Sequence, residues 1–180
     1  MALLTRGELR SLLERQLPEA LDTRWATQAT DQAAPAEHGA AQPVLSEDDA
    51  VVHAATIVPV AHFLRDNFGY TLLSNITATD YLGHNLIEVL YQFYNPEEGG
   101  PDVRVRVRVG RSAEECVVPS LTPTWPGANL QEREAFDMYG VRFPGHPNLA
   151  RIYMWDEFKG FPMRKDFPKT GDKYTHVTGE

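Results

Sequence analysis

The distribution of hydrophobic and polar residues predicts a short N-terminal helix followed by a polar stretch. Residues 2–17 carry leucines at near-helical spacing, which predicts an amphipathic helix within an N-terminal part, residues 1–24. We expect this helix to pack on its own domain, with docking on a partner as the alternative. Residues 25–49 are mainly Ala, Gln, Pro, Thr and acids, a composition typical of a flexible linker or insert. The leucines are Leu3, Leu9, Leu12, Leu13 and Leu17.

A core domain is predicted over residues 50–144, and it opens with a strand and a helix. Residues 50–58 are small or β-branched, which indicates a strand. Pro59 suits the first turn of a helix, and Gly69 suits its end. The apolar face of this predicted helix consists of Val60, Phe63, Leu64 and Phe68.

Three further segments show the pattern of strands in a half-buried sheet. Residues 72–82 predict a strand or a strand plus a turn, and residues 84–95 and 103–109 alternate inward and outward side chains. We expect Glu88 to pair with an arginine of the neighbouring strand, for a few tenths of a kcal/mol to about 1 kcal/mol. The predicted inward residues are Ile87, Val89, Tyr91, Phe93, Val103, Val105, Val107 and Val109, and the arginines predicted to face solvent are Arg104, Arg106 and Arg108.

The remainder of the core predicts a short strand and a closing helix. The strand C-V-V-P ends at Pro119, and the helix runs from about Pro126 to Tyr139 with Gly140 as its terminating residue. Arg133 and Asp137 are four residues apart and can pair on one helix face.

The order of these elements predicts an α+β fold, a two-layer sandwich of a mostly antiparallel sheet with helices. Residues 145–180 follow as an extended, irregular C-terminal segment that is rich in Gly, Pro, aromatic and charged residues. Aromatic residues and arginines often anchor interfaces, and an irregular backbone must find hydrogen-bond partners. We therefore predict a tail that leaves the domain and binds a partner protein, with an exposed surface of solvated ion pairs as the alternative.

Composition narrows the classes of function. The net charge of −8 argues against nucleic acid as the main partner, and no aromatic residues interleave with the arginines of residues 103–109. No apolar run approaches the roughly 20 residues that span a bilayer, and the N-terminus does not resemble a secretory signal. Cys116 is the single cysteine, and its valine-rich surroundings indicate a small core residue. These features predict a soluble, intracellular protein.

Candidate catalytic chemistry is sparse. Glu134 and Asp137 can share a helix face, and His146 follows, but no second histidine stands at a metal-ligand spacing from it. No phosphate-binding loop, dinucleotide fingerprint or nucleophile elbow is present in the sequence. A stand-alone hydrolase that uses these three residues is kept as an alternative.

The C-terminal third carries a dense and specific motif. The pattern E-R-E-x-x-D-M-Y-G, then F-x-G-H-P-x-L, then G-x-P-x-R-K-D-F-P closely resembles the C-type subunit of bacterial NADH–quinone oxidoreductase, the thirty-kilodalton subunit family of respiratory complex I. Ala150 departs from the basic residue or proline usual in that family. The signature residues, which we also predict as the partner interface, are Glu132, Arg133, Glu134, Asp137, Gly140, Gly145, His146, Pro147, Arg151, Arg164, Lys165, Asp166, Phe167 and Pro168.

The resemblance implies a cofactor-free structural subunit of the hydrophilic arm, with no catalytic or metal-binding residue of its own. It implies that the C-terminal segment docks the quinone-site subunit, and that the protein is peripheral on the cytoplasmic side of the cell membrane. The complex uses FMN, iron–sulfur clusters, NADH and quinone, and it couples electron transfer to proton pumping. An equivalent subunit of a related membrane-bound hydrogenase is the nearest alternative.

Overall fold

The computed structural model describes residues 4–25 and 50–168, which form one four-stranded sheet with three α-helices. The sheet order is β1-β4-β3-β2, in which β1 runs parallel to β4 and the other neighbours are antiparallel. The predicted α+β class is thereby confirmed. The strands are β1 (Ala50–Val52), β2 (Leu72–Tyr81), β3 (Leu86–Tyr94) and β4 (Val103–Gly110), and the helices are α1 (Arg6–Gln16), α2 (Ile57–Phe68) and α3 (Ala128–Tyr139).

The core lies on the face of the sheet that the alternating pattern predicts to be apolar. Val105, Val107 and Tyr91 on this face are completely buried, and all three helices contribute side chains to the same hydrophobic cluster. In α1, the buried residues are Leu9 and Leu13, so the helix packs on its own domain. Helices and sheet therefore form two layers.

The opposite face of the sheet is less exposed than predicted. Arg108 is predicted to face solvent, but it and Glu88 are each only 3% exposed and lie directly opposite each other. Arg108 Nε donates to Glu88 at 2.8 Å, and Arg106 donates to the other carboxylate oxygen. The predicted cross-strand pair is present, but it is a buried cluster of one acid and two bases.

Two sequence-based strand assignments need correction. Residues 50–58 form a strand only as far as Val52; a 3₁₀ turn follows, and α2 begins at Ile57. Tertiary packing overrides the β-propensity of the branched residues, because Ile57 is fully buried in a helix. The predicted strand ending at Pro119 is a single bridge between Val117 and Arg142.

The closing part of the core follows the prediction more closely. α3 starts at Ala128, two residues after Pro126, and Gly140 ends it with a left-handed φ of 79°. Cys116 is fully buried, and burial raises the pKa of its thiol to about 11, consistent with its predicted core role. Most of the predicted linker, residues 26–49, and the end of the tail, residues 169–180, lie outside the described residues.

Candidate partner interface

The C-terminal segment, residues 145–168, lies against its own domain instead of leaving it. It contains no regular helix or strand, and its backbone is held by side chains from the sheet and from α3. The prediction that this segment departs from the domain is therefore wrong as far as Pro168. Two buried carboxylates, Asp137 and Asp80, hold it at separate points.

Asp137 projects from α3 and binds the backbone of residues 152–154. Its Oδ2 accepts three consecutive backbone N–H groups at 2.7–3.0 Å, and its Oδ1 accepts from the Arg151 guanidinium at 2.6 Å. Burial alone would raise the pKa of Asp137, but these donors hold it below its ordinary value. The donor N–H groups belong to Ile152, Tyr153 and Met154.

Arg133 binds the adjoining backbone through carbonyl groups. Its Nε donates to the Ala150 carbonyl at 2.9 Å, and its Nη2 donates to the Arg151 carbonyl at 3.0 Å. The predicted ion pair between Arg133 and Asp137 is therefore wrong. Both side chains instead satisfy a backbone that has no regular secondary structure to satisfy it.

Asp80 on β2 is the second attachment point. It accepts two hydrogen bonds from Arg111, at 2.7 and 3.0 Å, and one from the Lys165 backbone N–H at 2.8 Å. Arg111 also pairs with Asp166 at 2.7 Å, and the backbone carbonyl of Arg111 accepts a hydrogen bond from the Arg164 guanidinium. The sequence analysis missed Asp80. Strands disfavour aspartate, so an aspartate at an inward position of a strand could have indicated a buried polar contact.

Glu132 is fully buried and fixes the loop that leads into α3. Its carboxylate accepts from Ser120 Oγ at 2.6 Å, from the Leu121 N–H at 2.7 Å and from the Thr122 hydroxyl at 3.2 Å. Burial raises the pKa of Glu132, and these hydrogen bonds offset part of that rise. Glu132 is therefore committed to the fold.

His146 is held by the backbone on both sides of its ring. Nδ1 accepts the Asn148 N–H at 3.0 Å, which places the proton on Nε2, 3.1 Å from the Asn129 carbonyl. Within the described ranges, no group of three His, Cys, Asp or Glu side chains is arranged to hold a metal ion. With Asp137 bound to the backbone, the structure gives no support to the hydrolase alternative.

The predicted interface residues divide by exposure. Those that are buried or partly buried face their own domain, and those that are exposed face outward, although Asp166 among them also pairs with Arg111. Glu132, Asp137 and Gly140 are buried; Arg133, His146, Arg151, Arg164 and Phe167 are partly buried; Glu134, Gly145, Pro147, Lys165, Asp166 and Pro168 are exposed.

Large apolar side chains are exposed beside these residues. Tyr153 is 61% exposed, Met163 is 53% exposed, and Leu130 and Trp155 are also more than half exposed. Tyr153 and Met163 line a cavity of about 740 Å³, which we call the β2 groove; it runs between β2, α3 and the C-terminal segment. Aromatic residues and methionine are enriched in protein interfaces.

No helix among the described residues has the length and apolar character of a membrane span. Residues 50–173 match the family described as respiratory-chain NADH dehydrogenase, 30 Kd subunit. The chain is 45% identical over 117 residues to the C-type subunit of NADH-quinone oxidoreductase from Moorella thermoacetica, covering 65% of this chain and 77% of that protein.

Two further matches differ in their context. The second C/D-type subunit of NADH-quinone oxidoreductase from Aquifex aeolicus is 40% identical over 114 residues, which are 63% of this chain and 19% of that protein. A chain of the membrane-bound sulfane sulfur reductase, an archaeal respiratory membrane complex, superimposes with a TM-score of 0.60 at 27% identity, covering 72% of this chain and 74% of that one. As the sequence motif indicated, the chain belongs to the family of the 30-kDa subunit of respiratory-chain NADH dehydrogenase.

Proposed function

We propose that this chain is a cofactor-free structural subunit of the hydrophilic arm of a proton-pumping NADH:quinone oxidoreductase. It supports electron transfer from NADH to quinone by docking the quinone-site subunit, at a peripheral position on the cytoplasmic side of the membrane. The observation that carries this proposal is the division of the signature residues. One set fastens residues 145–168 to the domain, and the other set faces outward beside exposed apolar side chains.

The signature side chains that bind groups of their own chain support a structural role for this protein. The carboxylates of Glu132 and Asp137 and the guanidiniums of Arg133 and Arg151 all bind groups of their own chain. A group that serves as acid, base or ligand needs an open position toward a substrate. These four side chains instead shape the surface on which Tyr153 and its neighbours are exposed.

The identity of the partner is supported by the Aquifex relative. The matched region makes up 19% of a protein whose name combines the C and D types, so the C-like domain is one part of a longer chain. We infer that the D-type protein is the quinone-site subunit and the neighbour that this chain docks. Two proteins joined in one chain have a high effective concentration for each other, which favours partners that must remain together.

The proposal is tested by purifying the full chain with an affinity tag from detergent-solubilised membranes of its own cells. We expect the subunits of an NADH:quinone oxidoreductase to co-purify, with a direct cross-link between the tagged chain and the quinone-site subunit. Cells that lack the chain should lose NADH:quinone activity in their membranes, and the wild-type chain should restore it. A chain that purifies alone, or membranes that keep full activity without it, would refute the proposal.

A charge reversal on the outward-facing set gives a sharper test. Lys165 is exposed, and within the described ranges only its backbone N–H makes a hydrogen bond, so Lys165→Glu should leave those contacts intact. We expect it to weaken assembly, whereas Glu97→Lys, an exposed charge reversal on the turn after β3, should assemble normally.

A second candidate is the equivalent subunit of a related membrane-bound complex, such as a hydrogenase. The match to the archaeal sulfane sulfur reductase chain favours this alternative. The electron donor separates the two, because the leading proposal requires oxidation of NADH by the purified complex. A complex that reacts with another donor and not with NADH would favour the second candidate.

A further inference from the structure

We infer that the β2 groove receives one extended segment of the neighbouring subunit, which adds as a strand to the free edge of β2. This inference rests on the proposed function, since it names the surface and the kind of segment through which docking occurs. Among the strands of the described residues, β2 is at the end of the sheet order and pairs only with β3. Strand edges present unpaired N–H and C=O groups to any chain that can reach them.

The lining of the groove shows that it follows this edge. Residues 74–78 of β2 line it consecutively, although their side chains alternate between the two faces of the sheet. We interpret this run of consecutive residues as a groove that follows the edge of the strand. Its opposite wall is one face of α3, which includes Gln131, Glu134, Ala135 and Met138 at helical spacing.

This edge is contacted at Ile76 through a backbone N–H and at Asp80 through a side chain, and the backbone of Ala78 lies between these two contacts. The Ile76 N–H points away from β3, because it donates to Gln131 Oε1. Outward groups recur every second residue, so the N–H and C=O of Ala78 also face the groove. At Asp80 the side-chain carboxylate accepts the Lys165 backbone N–H. Among the hydrogen bonds between described residues, none reaches the outward groups of Ala78.

The shape of the groove selects one extended segment over a second copy of this chain. The edge of β2 is recessed between α3 and the C-terminal segment, where Tyr153 and Met163 form the outer rim. A second copy would present an equally recessed edge, and its own helix would meet this rim first. A single strand spaced about 4.8 Å from β2 has no such obstacle.

The walls of the groove define the chemistry of the incoming segment. Met138, Met154 and Met163 line it, and methionine side chains adapt to varied apolar partners. Glu134 on the wall is exposed and makes no ion pair within the described part of the chain; its carboxylate lies 3.4 Å from the Tyr153 hydroxyl. We therefore expect a segment with apolar residues directed into the groove and a lysine or arginine opposite Glu134.

The test is a competition inside the cell between tagged wild-type and variant chains for the same complex. Ala78→Pro removes the outward N–H at an edge position, where proline is tolerated, and Glu134→Lys reverses the charge of the wall. Both chains are quantified by mass spectrometry in the purified complex. We expect wild type to be enriched about two- to tenfold over Ala78→Pro, the effect of losing one main-chain hydrogen bond, and also over Glu134→Lys. Glu157→Lys, an exposed charge reversal outside the groove, should compete equally.

Photo-cross-linking keeps the inference testable where Ala78→Pro fails to fold. A photoreactive residue replaces Met163 in the groove or, as a control, the exposed Leu82 outside it. We expect position 163 to cross-link to one continuous segment of the quinone-site subunit, and position 82 not to reach that segment. Equal competition by both variants, or no cross-link from position 163 in an intact complex, overturns the groove as the docking site while the proposed function stands. Failure of the wild-type chain to co-purify would instead overturn the proposed function itself.

Discussion

Replacing Asp137 with alanine removes the acceptor on which three consecutive backbone N–H groups and the Arg151 guanidinium converge. The carboxylate is fully buried, so none of these four donors shares it with bulk water. Alanine leaves a cavity at the same point, and Arg151 keeps a charge that is only 13% exposed. We expect residues 151–154 to detach from α3.

The loss of stability expected for Asp137→Ala depends on the buried charge that remains on Arg151 more than on the number of hydrogen bonds that are removed. Each hydrogen bond to a charged group contributes about 1.5–3 kcal/mol, but four donors on one acceptor do not add independently. Removing one partner of a buried pair typically costs about 3–5 kcal/mol. We expect Asp137→Ala to lower the free energy of unfolding by this amount, and Asp137→Asn to lower it by less, because the amide oxygen still accepts hydrogen bonds.

The assay is urea unfolding of the isolated full-length chain, combined with amide hydrogen exchange at residues 152–154. Glu134→Ala, one turn away on the exposed side of α3, is the matched control and should change stability by less than about 0.5 kcal/mol. Faster exchange at residues 152–154 should accompany the loss of stability in Asp137→Ala. An unchanged urea midpoint with unchanged exchange would show that Asp137 does not hold the segment.

The pH dependence of stability gives an independent check. The pKa of Asp137 is lower in the folded chain than in the unfolded chain. Its contribution is therefore fully present above the unfolded pKa, about 3.9, and is lost as pH falls through the folded value. The acid side of the stability profile should flatten in Asp137→Asn.

Three further substitutions test other parts of the structure. Glu88→Ala leaves two arginines on the sheet without their carboxylate partner. In urea unfolding it should lower the free energy of unfolding by about 3–5 kcal/mol, well above the loss expected for an exposed pair. Gly140→Ala places a Cβ 2.5 Å from the Phe161 ring, at a residue whose φ is a left-handed 79°. It should destabilise the fold by at least about 1–2 kcal/mol in thermal unfolding. Adding Phe161→Ala should relieve only part of this loss, because the backbone strain remains. Arg133→Ala should lower the free energy of unfolding by about 1–3 kcal/mol. A double-mutant cycle with Asp137→Ala should show coupling, because both side chains hold the same backbone stretch. Strict additivity of the two losses would argue for independent roles.

The sequence is sufficient to predict the sheet where one face is apolar throughout. The valines of residues 103–109 and the inward residues of β3 lie where their alternation places them. Alternation defines two faces but does not say whether the polar face meets water, which is why it assigns Arg108 to solvent. The pattern overestimates the length of β1 because Ile57 and Val58 favour strands in isolation, whereas packing on the core selects a helix.

The sequence motif singles out the stretch from Glu132 to Pro168, but the contacts that these residues make inside the domain could not be predicted from it. The spacing of Arg133 and Asp137 suggests a pair within the helix, and no local pattern indicates that both instead bind the backbone of a later segment. Asp80 lies far from the signature in sequence, and only the folded chain brings it to Lys165. Long-range contacts of this kind depend on topology more than on periodicity.

The contacts that Arg133 and Asp137 make with residues 150–154 involve backbone atoms of the segment, apart from the Arg151 guanidinium. Arg133 binds carbonyl groups and Asp137 binds N–H groups, so the path of the chain depends little on which side chains stand there. Ala150 illustrates this, since its carbonyl makes the contact although its side chain is a single methyl group. The outward side chains can therefore change without altering the backbone conformation that presents them.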